Sequence, residues 1–128
     1  MKKLTNAEEE IMQILWNLKA GFVKDVIDRM PDPKPPYNTV STVIRVLEKK
    51  QFISHKQYGN TYEYFPIVSK NEYAGVHFSD ILSNYFSNSF PKMAAFFARE
   101  NNLSMKELEE IIRLTEQELN KPNSSKHE

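Results

Sequence analysis

No cysteine occurs among the 128 residues, which excludes disulfides, thiolate zinc sites and thiol redox chemistry. Glycine is scarce, three in all, and none stands in a GxGxxG or P-loop arrangement that could cradle a phosphate. The histidines, His55, His77 and His127, are scattered. None sits in HExxH spacing or beside a serine in a GxSxG context, so neither a metal nor a nucleophile is provided for. The carboxylate runs, Glu8 to Glu10 and Glu107, Glu109 and Glu110, fall in helix first turns, where the macrodipole alone accounts for them. No apolar run reaches the ~18 residues of a membrane span, and the N-terminus lacks a signal peptide's apolar centre. The expectation is a cytoplasmic chain that is not an enzyme, with no cofactor, no metal and no evident small-molecule ligand.

What remains is ordinary in bulk and uneven in distribution. Apolar content of 40% and charged content of 27% fit one globular domain with a helical extension. Net charge is zero, yet Lys34 to Pro66 holds five cations against two anions, while Arg99 to Glu128 holds five against seven. A basic segment inside a neutral chain is a local footprint for a polyanion.

That segment contains the most specific pattern in the chain. Val40, Val43, Ile44 and Leu47 recur at the spacing of one apolar helix face. The opposite face carries Thr39, Ser41, Thr42, Arg45 and Lys49, short hydroxyls and long cations suited to base edges and phosphates. Phe52-Ile53 and Thr61 to Phe65 then have strand composition, with Tyr58-Gly59-Asn60 as a hairpin tip and Lys56 beside it. A polar-faced helix leading into a basic hairpin is the reading end of a winged helix-turn-helix.

The rest of the chain agrees. Thr5 and Glu8 form a capping box that opens a first helix with Ile11, Ile14, Leu15 and Leu18 on one stripe and Trp16 as a packing anchor. Ala20-Gly21 stops it, and Phe22 to Met30 reads as a second helix. Four prolines from Pro31 to Pro36 make a stiff connection, after which Asn38 is a plausible N-cap for the third helix. Beyond the hairpin, capping boxes at Ser69/Glu72 and Ser104/Glu107 open two further helices, with a short helix from about Pro91 to Arg99 between them.

The fold class expected is mostly α with a small β-wing. Residues 1–68 form a winged-helix DNA-binding domain, 69–121 a helical dimerisation domain, and 122–128 a disordered tail. The later helices show more apolar surface than they can hide among themselves. Tyr85, Phe86, Phe90, Phe96, Leu108, Ile111, Ile112, Thr115 and Leu119 are therefore expected to bury against a second copy, giving a two-fold homodimer. The alternative is a winged-helix module for protein contact that reads no DNA sequence.

The stretches LTNAEEEIMQILW, TVSTVIRVLEKKQFI and KQYGNTYEYFPIVSKNEY, with FFARENNLSMKELEEI more loosely, resemble the BlaI/MecI penicillinase-repressor family. The resemblance implies a homodimeric repressor binding a palindromic operator of TACA/TGTA type on double-stranded DNA. It also implies release by proteolysis, triggered through a membrane-bound sensor of β-lactams or cell-wall stress. By position it places Asn38, Thr39, Thr42 and Arg45 at or near the bases, and Lys49, Lys56, Gly59 and Asn60 near the backbone. The implied cut lies at Phe96–Phe97, with Ala95–Phe96 the neighbouring bond. The chain departs from the family pattern at Val46, where arginine is usual, at Gln51 in place of glycine, and at Asn60 in place of a wing arginine. A copper-responsive branch uses C-terminal cysteines, which this chain lacks.

Overall fold

The computed structural model describes residue 1 and residues 3–122. Six helices and one hairpin follow in order: α1 Asn6–Leu18, α2 Val23–Asp28, α3 Tyr37–Lys49, β1 Ile53–Tyr58, β2 Thr61–Pro66, α4 Lys70–Phe86, α5 Phe90–Glu100 and α6 Met105–Leu119. Among the described residues no helix is long and apolar enough to cross a membrane. The chain divides into two compact units, Met1–Gly75 and one from Val76 onward. The division falls inside α4, later than the expected edge at residue 68. The reason is Tyr73, buried in the first unit with its hydroxyl accepting from the Leu4 N–H at 2.8 Å.

The first unit is built from local signals that meet in one core. Thr5 and Glu8 make the capping box of α1, each side chain accepting from the other's backbone N–H. Ile11, Met12 and Leu15 of α1, Val26 of α2, and Val40, Ile44 and Leu47 of α3 are buried together with Phe52 and Ile53. Trp16 is an anchor, its indole N–H donating to the Val68 carbonyl at 2.8 Å. The second helix is shorter than expected, because Asp25 accepts from the Phe22 N–H at its start. At its end Lys34 donates to the Ile27 and Asp28 carbonyls at 3.3 and 3.4 Å, acceptors the helix leaves open, and to the Met30 carbonyl just beyond it at 2.6 Å.

The α3 N-terminus differs from the expectation. Pro36 is the N-cap (φ −62°, ψ 150°), and its carbonyl accepts from the Thr39 and Val40 N–H groups. Asn38 lies inside the first turn. Proline restricts the residue before it, not the one after, so the helix starts as soon as the proline run ends. At the other end the Phe52 N–H donates to the Leu47 carbonyl and the Gln51 N–H to that of Glu48, a Schellman closure. It requires a left-handed residue at position 51, and Gln51 adopts φ +67° despite its Cβ.

The hairpin pairs Ile53 with Pro66 through to Tyr58 with Thr61, and Gly59 takes φ +58° at the tip. A third strand position escaped the sequence: Gly21 and Tyr64 exchange backbone hydrogen bonds of 2.9 and 2.8 Å. One residue cannot show a strand's period, so no pattern marks it.

In the second unit the Ser104/Glu107 capping box opens α6, and Ser89 accepts from the Lys92 N–H at the start of α5. The Ser69/Glu72 box opens α4 within the first unit. The expected tail from 122 onward lies outside the described residues except for Pro122, as does His127.

One ion pair ties α1 to the end of α3. The Lys50 ammonium donates to both Glu8 oxygens, at 2.9 and 2.8 Å, and Glu8 is only 6% exposed. Burial pushes the Glu8 carboxyl up, but the Lys50 and Thr5 hydrogen bonds and the Lys50 charge outweigh it and hold the carboxyl below its ordinary value. Such a group stabilises the fold above the unfolded carboxylate's pKa, and that contribution is lost as pH falls through the lowered value. Urea unfolding across pH 3–7 should therefore show stability dropping in acid. Lys50→Met should cost about 2–3 kcal/mol at neutral pH by stranding a buried carboxylate, and should flatten the acid limb. Gln51→Gly should raise stability by about 1 kcal/mol in the same assay, by relieving the left-handed strain.

Candidate nucleic-acid interface

Burial divides α3 along its length. Val40, Ile44 and Leu47 are at most 2% exposed, which fixes the rotation of the helix and leaves Asn38, Thr39, Thr42, Arg45, Val46 and Lys49 to solvent. The polar face is therefore set by the core beneath it. Two side chains on it are further held by their own helix. Thr42 donates its hydroxyl to the Asn38 carbonyl at 2.8 Å, and Arg45 donates to the Ser41 hydroxyl at 3.2 Å.

Ser41 lies deeper than the other polar residues of α3. It is 9% exposed, lies on the side of α3 turned toward the hairpin, and its hydroxyl accepts from Arg45. Periodicity assigns Ser41 to the polar half of the helix. It cannot say from which side another element approaches.

The hairpin is joined to α3 by a specific contact. His55 on β1 lies 2.5 Å from a Glu48 carboxylate oxygen through Nδ1. The carboxylate can only accept, so Nδ1 carries the proton. The same imidazole stacks on Tyr62 of β2 with ring centroids 4.1 Å apart. Phe22, the residue before α2, meets Tyr58 edge-on at 5.9 Å. The wing is thereby braced against both α2 and α3. Lys56 stands opposite Glu63 in the hairpin register, and Lys56, Gly59 and Asn60 are exposed.

An open cleft of about 620 Å³ lies between α3 and the hairpin, lined among others by Asn38, Ser41, Arg45, Asn60 and Tyr62. It brings together four of the residues singled out in the sequence: Asn38, Ser41, Arg45 and Asn60. Thr39, Thr42 and Lys49 face outward from α3, and Lys56 and Gly59 lie on the hairpin; none of these five lines the cleft. Tyr37, Tyr62 and Lys24 do line it and were missed. The available signal was the pair of tyrosines at alternate positions of β2, Tyr62 and Tyr64, which share a face and of which only Tyr64 is buried.

The electrostatics are narrower than the local charge count. Of the five cations between Lys34 and Pro66, Lys34 closes α2 and Lys50 is paired with Glu8. Arg45, Lys49 and Lys56 remain directed to solvent. Among the described residues no cluster of histidine and carboxylate side chains could hold a metal ion.

The residues expected to dimerise also have definite places. Neither α5 nor α6 has a buried residue, and Tyr85, Phe90, Phe96, Ile111, Ile112 and Leu119 are all exposed, Leu119 by 78%. Phe86 and Leu108 are half-buried. Phe86 packs its ring on Phe96 at 5.5 Å, and Thr115 donates its hydroxyl to the Ile111 carbonyl at 2.7 Å. Phe97, beside the implied cut, is 61% exposed.

Comparison with known proteins bears on the whole chain. The family model described as penicillinase repressor matches residues 4–117. The penicillinase repressor of Bacillus licheniformis is 25% identical over 129 residues, covering 94% of this chain and 98% of that protein. The methicillin resistance regulatory protein MecI of Staphylococcus aureus (strain N315) is 24% identical over 110 residues, covering 85% and 89%. The solution structure of the DNA-binding domain of the repressor BlaI is similar with a TM-score of 0.49 and 26% identity, over 57% of this chain and 94% of that one.

Proposed function

The chain belongs to the penicillinase repressor family, and from that premise we propose that it is a homodimeric transcriptional repressor acting on a palindromic operator in the cytoplasm. The observation that carries the reading is α3 itself. Its inner face is locked by Val40, Ile44 and Leu47, and its outer face offers Thr39, Thr42 and Lys49 with the hairpin braced alongside through His55 and Glu48. Such a helix enters a major groove, and the hairpin follows the adjacent backbone. Asn38, Thr39, Thr42 and Arg45 take the base edges, the last two with their side chains already oriented. Lys49, Lys56 and the tip at Gly59 and Asn60 take phosphates.

The second unit supports the dimer. Its exposed Tyr85, Phe90, Phe96, Ile111, Ile112 and Leu119 are an apolar load that a second copy would cover, and two-fold symmetry places two reading helices about one helical turn apart on DNA. Two linked heads bind with an effective-concentration advantage that a single head lacks. That gives proteolysis its leverage. Cutting at Phe96–Phe97, within α5, removes α6 and its share of the apolar surface. In this reading a membrane sensor of β-lactam or cell-wall stress directs the cut and so relieves repression.

Electrophoretic shifts against operators selected from a random pool test the reading. Palindromes with half-sites about one turn apart should be enriched. With two phosphate-directed cations per protomer, Lys49 and Lys56, log affinity should fall against log salt with a slope of about −4, and Lys49→Ala should flatten it by about 2 for the dimer. Thr42→Ala should change which base is preferred. Enrichment of no sequence at all would favour a protein-contact role instead. Ile112→Glu, or a chain ending at Phe96, should sediment as a monomer and bind one palindrome at least 100-fold more weakly.

A further inference from the structure

We infer that Val46 is a specificity-determining residue that reads the C5-methyl group of a thymine in each operator half-site. The inference rests on the proposed DNA reading and adds to it an apolar contact at one base. Every other aliphatic residue of α3 serves the fold, Val40, Ile44 and Leu47 within the core and Val43 packed against it. Val46 is 38% exposed and packs against neither the core nor the α3–hairpin cleft. It stands on the outward stripe with Thr39, Thr42 and Lys49, at successive helical turns.

Isolated exposed valines are common on protein surfaces, but this one lies in the last turn of the helix presented to the groove, on the same stripe as Thr39 and Thr42. Valine is a weaker helix former than alanine, leucine or arginine, so helix propensity does not account for it there. In a major groove the one apolar feature a base pair offers is the thymine methyl. Valine cannot donate or accept a hydrogen bond, so guanine and adenine edges facing it would lose their water partners without replacement. The branched Cγ atoms can cover a methyl group and exclude water from it. The neighbouring threonines hold polar edges on either side, which fixes the register of the contact.

Single thymine-to-deoxyuridine replacements in a wild-type-selected operator remove only that methyl and leave base pairing unchanged. At one symmetry-related position per half-site, deoxyuridine should weaken wild-type binding roughly four-fold per site, the worth of one buried methyl. Val46→Ala, whose fold is checked by circular dichroism, should bind the thymine and deoxyuridine operators equally at that position and keep the other positional preferences. A wild-type chain that selects an operator but is indifferent to deoxyuridine at every position overturns the role of Val46 alone. So does a deoxyuridine effect that persists undiminished in Val46→Ala. A chain that selects no sequence overturns the DNA reading beneath it.

Discussion

A half-buried ammonium held between two carboxylate oxygens sets the position of α3. Lys50 caps the C-terminal end of α3, and Glu8 belongs to the capping box that opens α1. The pair therefore joins the start of one helix to the end of another, 42 residues apart. Burying a carboxylate is costly, and here the cost is offset only because Thr5 and Lys50 both donate to it. Geometry that satisfies three hydrogen bonds at once tolerates little sliding of α3 along α1. The adjacent Schellman closure adds to this, since Gln51 accepts a left-handed conformation so that Phe52 can turn into the core.

From that fixed point the functional surface follows by simple geometry. With Leu47 and Ile44 fully buried, the outward direction of Thr39, Thr42, Val46 and Lys49 is determined without any contact of their own. The hairpin is placed in turn by Glu48, on the flank of the same helix, through His55 and the stack on Tyr62. α3 and the hairpin are thus joined by direct side-chain contacts, and side chains already held before binding have less ordering entropy left to lose. The second unit has the opposite character: α5 and α6 keep apolar side chains in water, a state that association would relieve.

Much of this was legible in the sequence wherever the physics is local. The boxes at Thr5/Glu8, Ser69/Glu72 and Ser104/Glu107 each depend on two side chains three residues apart, and all three form. The inner face of α3 was legible for a similar reason, because helical period alone groups Val40, Ile44 and Leu47. The α3 N-cap was misjudged because asparagine's capping preference is weaker than the start imposed by Pro36. The depth of Ser41 was not legible because it lies on the edge between the two faces, where the approach of the hairpin decides its burial. The charge count between Lys34 and Pro66 overstated the footprint, since the sequence does not show that Lys34 and Lys50 are engaged elsewhere.

By itself the sequence determined the helices, the three capping boxes, the hairpin and the presence of one polar, cation-bearing face on the third helix, because each follows from spacing within a few residues. Only the tertiary structure decided which of those polar residues face outward, which cations remain directed to solvent, and where the wing stands. Those outcomes rest on contacts between distant segments: Glu8 with Lys50, Gly21 with Tyr64, Trp16 with Val68. Their partners are chosen by packing around a shared core, and no periodicity in either segment encodes the other.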